Sequence, residues 1–97
     1  MARSRSYQTE LLGALRDPQE AAHYLSAALE DGNREGFLLA LRNVVEACGG
    51  IGRLAEGSRL NRESLYRMLS ANGNPELQSL EAVLQSLGLR LAVEPAA

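Results

Sequence analysis

The residues best suited to chemistry are arginines and small polar residues clustered between Gly50 and Ser70. Guanidinium groups bind guanine edges or phosphates, and hydroxyl and amide groups donate hydrogen bonds to the same partners. This pattern is typical of a surface that contacts double-stranded DNA. The predicted DNA-contacting residues are Arg53, Asn61, Arg62, Glu63, Ser64, Tyr66 and Arg67.

Two short amphipathic helices joined by a tight turn must position these side chains. Apolar residues recur at helical spacing on both sides of the turn, and Leu60 lies within it. Asn61 is a good N-cap for the second helix because its side-chain oxygen can accept from the first unpaired backbone N–H groups. The spacing therefore predicts a helix-turn-helix over residues 50–70. The predicted inward-facing residues are Ile51, Leu54, Ala55, Leu65, Met68 and Leu69.

The turn departs from the usual helix-turn-helix pattern at one position. The residue before the apolar turn residue is normally Gly, since it adopts a left-handed conformation. Here that residue is Arg59. Either Arg59 is strained, or Gly57 and Ser58 absorb the bend.

The whole region could instead be a plain helical hairpin in a small bundle. If it does bind DNA, several of its side chains have more than one possible contact. Arg62 and Arg67 could each contact guanine or clamp a phosphate, which would give sequence preference or affinity alone. Tyr66 could contact a thymine methyl group, contact a phosphate or pack on its neighbours. Glu63 could read cytosine or lie in solvent. Arg53, Asn61 and Ser64 suit backbone phosphates.

Length and composition favour one small helical domain without catalytic function. The 97 residues are 45% hydrophobic and contain one histidine, His23, and one cysteine, Cys48. No metal-ligand spacing, nucleophile–base set or phosphate-binding loop is present, so we expect no enzyme, no metal and no cofactor. No apolar run is long enough to span a bilayer, and the N-terminal residues lack a signal-peptide pattern. A cytoplasmic protein is expected.

Charge is distributed unevenly along the chain. Its net charge is −2, yet residues 50–72 carry four arginines against two glutamates, a local charge of +2. The remainder therefore carries −4. Residues 17–35 alone carry five acidic residues against one arginine. A weakly basic DNA-binding segment is thus attached to an acidic N-terminal half, which could attract a basic protein partner.

The organisation predicted along the chain is a flexible N-terminal arm over residues 1–16, with a short helix near Thr9–Leu15, a helix-turn-helix domain over 17–94 and a tail over 95–97. Asp17 and Pro18 begin one helix, which stops at Gly32, and Asn33 caps the next. Asn72-Gly73-Asn74-Pro75 is a turn. The last helix ends at Gly88. The fold class is therefore all-α with five helices.

The segment Leu89–Val93 alternates in a way that predicts a short strand. A lone strand leaves its backbone groups unpaired, and no other segment offers a partner. We therefore expect the same strand of a second copy to pair with it, which gives a two-fold homodimer. The dimer residues would be Leu89, Leu91 and Val93.

Four blocks of sequence together resemble the addiction-module antidote proteins, a HigA-like branch of the lambda-repressor-type helix-turn-helix proteins. They are AAxYLxxAL at Ala21–Leu29, FLLALRxV at Phe37–Val44, the core with RESLYRxLS at Gly49–Ser70, and NGNP at Asn72–Pro75. The resemblance covers about residues 15–94. It implies a lambda-repressor-like fold and an antitoxin that neutralises a RelE/ParE-type toxin, binds operator DNA and represses its own operon, in association with the nucleoid.

The acidic N-terminal half is compatible with this resemblance, since toxins that attack RNA are typically basic. The expected toxin-contacting residues are Asp17, Glu20, Glu30 and Asp31. Two alternatives remain open. One is a protein-interaction module whose helix-turn-helix no longer binds DNA, and the other is a stand-alone transcriptional regulator without a toxin.

Overall fold

The computed structural model describes the backbone of residues 2–97 and the side chains of residues 7–97. Over this range the chain is all-helical, as the sequence predicts, and it contains no strand. The described helices number six rather than five: α1 (Ala2–Ala14), α2 (Pro18–Glu30), α3 (Arg34–Ala47), α4 (Gly50–Ser58), α5 (Arg62–Met68) and α6 (Leu77–Ser86).

Helix α3 lies at the centre of the molecule. Its side chains Leu38, Leu41 and Val44 have no exposed surface. It packs against α1, α2 and α4, and α4 in turn packs against α5 and α6. Burial of large aliphatic side chains supplies the main free energy that holds such small helical domains together. Apart from Phe37 and Met68 the buried core is aliphatic, and Leu65 and Val83 extend it to α5 and α6.

The predicted helix starts are confirmed in atomic detail. Asp17 accepts a hydrogen bond of 3.0 Å from the backbone N–H of Gln19 at the beginning of α2. Asn33 accepts one of 3.1 Å from the N–H of Gly36 at the beginning of α3. Each cap satisfies a backbone donor that has no partner inside its helix.

The expectation of a flexible N-terminal arm, with only a short helix near Thr9–Leu15, differs from the structure. Residues 2–14 form the continuous helix α1, which packs against α3. The amphipathic signal of this segment is weak because its leucines lie only towards its C-terminal end. Leu11 and Leu12 pack against the core, and Leu15, directly after the helix, is 2% exposed. Tertiary packing therefore decides the structure of this segment.

The strand predicted at Leu89–Val93 is not formed in the single chain described here. Gly88 adopts a left-handed conformation with φ of 80°. The N–H of Leu89 then donates a hydrogen bond of 2.8 Å to the carbonyl of Leu84. The N–H of Gly88 donates one of 3.0 Å to the carbonyl of Gln85. This pair of bonds is a Schellman motif, which ends α6. No segment of residues 2–97 lies alongside to supply strand hydrogen bonds, so 89–93 stays irregular.

Candidate nucleic-acid interface

Helix α5 has one buried face and one exposed face. Leu65 and Met68 are buried, as is Leu69 directly after the helix. The opposite side, called here the α5 outer face, consists of Arg62, Glu63, Tyr66 and Arg67, all of which are exposed. Tyr66 is 63% exposed, so its ring does not pack into the body of the protein. The seven-residue helix therefore presents two guanidinium groups, one carboxylate and one phenol to solvent.

The residues Asn61 and Ser64 are tied together at the beginning of α5. The side-chain oxygen of Asn61 accepts a hydrogen bond of 2.7 Å from the backbone N–H of Ser64. This confirms the predicted cap. Because the cap uses Oδ1, the Asn61 group that remains to approach a phosphate is the Nδ2 donor. The side chain of Ser64 is half-buried.

The turn before α5 settles the question raised by Arg59. Arg59 itself adopts the left-handed conformation, with φ of 65° and ψ of 10°. Leu60 is half-buried and packs against the core, as expected for the apolar residue of the turn. Its backbone N–H lies 3.3 Å from the hydroxyl oxygen of Ser58. The turn thus has the geometry that glycine usually supplies, but with an arginine.

Two arginines of the candidate interface lie over glycines at the beginning of α4. A Cβ atom built on Gly49 would lie 2.6 Å from Cδ of Arg53, and one built on Gly52 would lie 3.0 Å from Nη2 of Arg62. Arg53 and Arg62 are nevertheless exposed. Neither arginine is withdrawn into the core, and the guanidinium group of Arg62 lies where α5 approaches α4.

The end of α5 is held by an arginine that the sequence reasoning missed. Nη1 of Arg42, on the central helix α3, donates to the backbone carbonyl of Leu69. The last carbonyls of a helix have no partner inside it and carry partial negative charge, so a guanidinium group there is stabilising. Arg42 directly follows the buried residue Leu41 of α3, and only this position next to the core indicated such a role.

Two grooves flank α5. One, of about 560 Å³, lies between α5 and the loop leading into α6, and it is lined by Ser64, Arg67, Asn72, Asn74 and Ser79 among others. The second, of about 450 Å³, is more apolar and is lined by Ile51, Tyr66 and Leu69 with Arg42 and Glu46 at its edge. The sequence reasoning had missed Asn72, Asn74 and Ser79 as neighbours of Arg67, because the fold of the connecting loop brings them there.

The residues expected to contact a toxin and a second copy lie away from α5 along the chain. Asp17, Glu20, Glu30 and Asp31 are all exposed at the two ends of α2. Leu89 packs against the core, whereas Leu91 is 38% exposed and Val93 is 99% exposed. Glu30 and Leu91 meet at a groove of about 320 Å³ between α2 and the C-terminal segment.

The described residues form neither a candidate metal site nor a membrane-spanning helix. Within the described part of the chain, no three His, Cys, Asp or Glu side chains form a group that could hold a metal ion. His23 is exposed on α2, and Cys48 is half-buried beside the core. None of the described helices is both long and apolar enough to cross a bilayer.

Comparison with known proteins gives the family. A family model described as "Probable addiction module antidote protein" matches residues 7–95. An uncharacterized protein of Haemophilus influenzae (strain ATCC 51907 / DSM 11121 / KW20 / Rd) is 31% identical over 80 residues, which cover 82% of this chain and 81% of the relative. No solved structure matches the chain. Because the family model spans nearly its whole length, this protein belongs to the family of probable addiction module antidote proteins, whose name implies a toxin as partner.

Proposed function

We propose that this chain is the antitoxin of a type II toxin–antitoxin module, in a HigA-like branch with a lambda-repressor-type helix-turn-helix. It binds operator DNA through α5 as a transcriptional autorepressor, and it neutralises a RelE/ParE-type toxin. One observation carries the DNA-binding part. The α5 outer face places Arg62 and Arg67 in solvent while the opposite face of the same helix is buried.

The outer face fits the chemistry of the DNA major groove, which is wide enough to admit an α-helix. In this arrangement Arg62 and Arg67 contact guanine edges or phosphates, and Tyr66 contacts a thymine methyl group or a phosphate. Arg53, Asn61 and Ser64 approach the sugar–phosphate backbone beside the groove. Glu63 accepts from cytosine or stays in solvent. The polar groove next to Arg67 offers further hydroxyl and amide donors to a phosphate.

Dimerisation through the C-terminal segment completes the proposed DNA-binding form. In a single chain the exposed side chains Leu91 and Val93 leave apolar surface in solvent. Pairing of this segment with that of a second copy would cover them and would present two α5 helices to two half-sites. Such binding would place the protein on the nucleoid.

The toxin contact is proposed for the acidic ends of α2. The acidic side chains exposed there are those of Asp17, Glu20, Glu30 and Asp31. A toxin that attacks RNA is expected to be basic, so its charge would complement theirs. Glu30 borders the groove that contains Leu25 and Leu29, so a partner could combine ion pairs with apolar contacts. Co-expression with the product of the adjacent gene, followed by copurification and a growth-rescue assay, tests this contact. The pair of substitutions Glu30→Lys and Asp31→Lys is expected to weaken the complex.

The DNA-binding proposal is tested by duplex binding of Arg62→Ala and Arg67→Ala, measured with the DNA upstream of the gene across salt concentrations. Loss of a base contact is expected to weaken binding by about 1–3 kcal/mol, and loss of a phosphate contact to reduce the salt slope by about 1. Arg34→Ala is the matched control, since Arg34 is exposed at the beginning of α3 and outside the outer face. Unchanged affinity in both α5 variants would remove the assignment.

The same experiments separate the alternatives. A chain that forms a stable complex with the neighbouring gene product but shows no salt-sensitive DNA binding is a protein-interaction module. The net charge of −2 would favour this alternative. A chain that binds DNA but no toxin is a stand-alone regulator. A chain that does both fits the antitoxin.

A further inference from the structure

The first turn of α4 contains a glycine that its helix does not need. Gly52 is the third residue of α4, and its φ does not lie in the left-handed region. Glycine within a helix is less favourable than alanine because it loses more conformational freedom on folding. Neither the turn geometry nor the core therefore explains why Gly52 lacks a side chain.

The space above Gly52 is occupied by the guanidinium group of Arg62. A Cβ atom built on Gly52 would lie 3.0 Å from Nη2, 3.4 Å from Cζ and 3.8 Å from Nε of Arg62. These are the three nearest atoms that such a Cβ would meet outside its own helix, and all belong to one planar group. The guanidinium group of Arg62 thus packs against the backbone of α4 at Gly52, where no side chain covers it.

We infer that Gly52 is a positioning residue for Arg62, which holds that guanidinium in the orientation that contacts duplex DNA. The inference rests on the proposed DNA-binding function. A bidentate hydrogen bond requires the guanidinium plane at a defined height and tilt. A methyl group at position 52 would displace the plane by a few tenths of an ångström, and the long side chain could move only outward, away from α4. The fold would be kept while the contact geometry is lost.

Gly57 provides a matched control within the same helix. It is exposed in α4, and a Cβ built on it would meet only Ser86, at 3.8 Å or more, which is ordinary contact. Gly57→Ala therefore makes the same change in helix propensity as Gly52→Ala without touching Arg62. Both variants are expected to melt at or above the temperature of the unmodified protein.

The experiment is a double-mutant cycle on operator affinity with Gly52→Ala, Arg62→Ala and the double variant, and with Gly57→Ala in parallel. Gly52→Ala is expected to weaken binding by about two- to tenfold, part of the loss caused by removing a bidentate arginine. It should cause no further loss once Arg62 is alanine. Gly57→Ala should leave affinity unchanged. The Nε–H resonance of Arg62 in the free protein should shift in Gly52→Ala and not in Gly57→Ala.

Different failures have different meanings. If Arg62→Ala weakens binding but Gly52→Ala behaves like Gly57→Ala, the positioning role is wrong and the DNA-binding proposal stands. If the loss in Gly52→Ala persists undiminished beside Arg62→Ala, Gly52 acts through close approach of the DNA itself, and the positioning role is again wrong. If the unmodified protein binds no duplex, both proposals fail.

Discussion

The two turns that flank α5 can be compared residue by residue. In the turn before α5, Arg59 adopts a left-handed conformation with φ of 65° although it carries a long side chain. In the turn after α5, Gly73 lies outside the left-handed region, yet it is buried, and a Cβ built on it would lie 2.2 Å from the backbone carbonyl oxygen of Met68. Gly73 therefore occurs where there is no room for a Cβ atom, whereas Arg59 occupies a position whose dihedral angles would favour glycine.

Glycine is favoured either by a left-handed φ or by a lack of room for a Cβ atom, and the two requirements differ in the free energy that another residue would cost. A left-handed φ costs a non-glycine residue about 1–2 kcal/mol whatever surrounds it, and a folded domain can tolerate that cost. A Cβ that overlaps backbone atoms cannot be relieved by turning a side chain, so the main chain itself must move. The turn after α5 should therefore be far less tolerant of substitution than the turn before it.

The largest expected effect is that of Gly73→Ala. The added Cβ would meet the carbonyl oxygen and carbon of Met68 and, at 3.0 Å, the carbonyl oxygen of Ser70. Because all three are backbone atoms, we expect destabilisation of about 3 kcal/mol, at the upper end of overpacking effects. In a domain of this size that lowers Tm by more than roughly 10 °C, which differential scanning calorimetry would detect.

Gly13→Ala is the control for this substitution, since a Cβ built on Gly13 in α1 meets no atom within 4 Å. It should leave Tm unchanged or raise it slightly. A Gly73→Ala protein that melts within a few degrees of the unmodified chain would mean that the loop relaxes easily. The proposed contrast between the two turns would then be lost.

An intermediate effect is expected at Arg42, which supports the same end of α5 from the central helix. Arg42→Met keeps much of the apolar stem and removes the donor to the Leu69 carbonyl. Losing a partly buried, charge-assisted hydrogen bond should cost about 1–2 kcal/mol in the free energy of unfolding. Urea denaturation measures that cost. Amide hydrogen exchange should show the loss of protection concentrated in α5.

Arg34→Met is the matched control for Arg42, because Arg34 is exposed at the beginning of α3. It makes the same chemical change and should alter the free energy of unfolding by less than about 0.5 kcal/mol, as is usual for surface substitutions. Equal effects of the two substitutions would show that the bond to Leu69 contributes nothing particular to the end of α5.

The sequence predicts the parts of this region that depend on local patterns. The cap at Asn61, the buried set Leu65, Met68 and Leu69, and the position of Arg59 in the turn all follow from spacing and residue type. The support from Arg42 comes from a residue 27 positions away in the chain, and the crowding at Gly73 depends on how the loop folds back on the end of α5. Sequence periodicity carries no information about such contacts.

The same distinction explains the two corrections in the fold. Helix α1 is formed over residues with little amphipathic pattern, because Leu11, Leu12 and Leu15 pack against the core. The alternation at Leu89–Val93 is a local pattern of a strand, but a strand also requires a neighbour, which the described chain does not supply. Local patterns therefore predict helix caps and faces better than they predict whether a marginal segment becomes ordered.

The smallest expected effect, and one of opposite sign, is that of Arg59→Gly. Glycine occupies the left-handed region without the clash of a Cβ atom, but it also increases the freedom of the unfolded chain. The net gain in the free energy of unfolding should be about 1 kcal/mol, seen as a Tm rise of roughly 4–8 °C. Arg59→Ala, which retains the Cβ, is the control and should give no such gain. If alanine and glycine stabilised equally, the benefit would come from removing the long charged side chain of Arg59, and the dihedral angle at position 59 would cost the fold nothing.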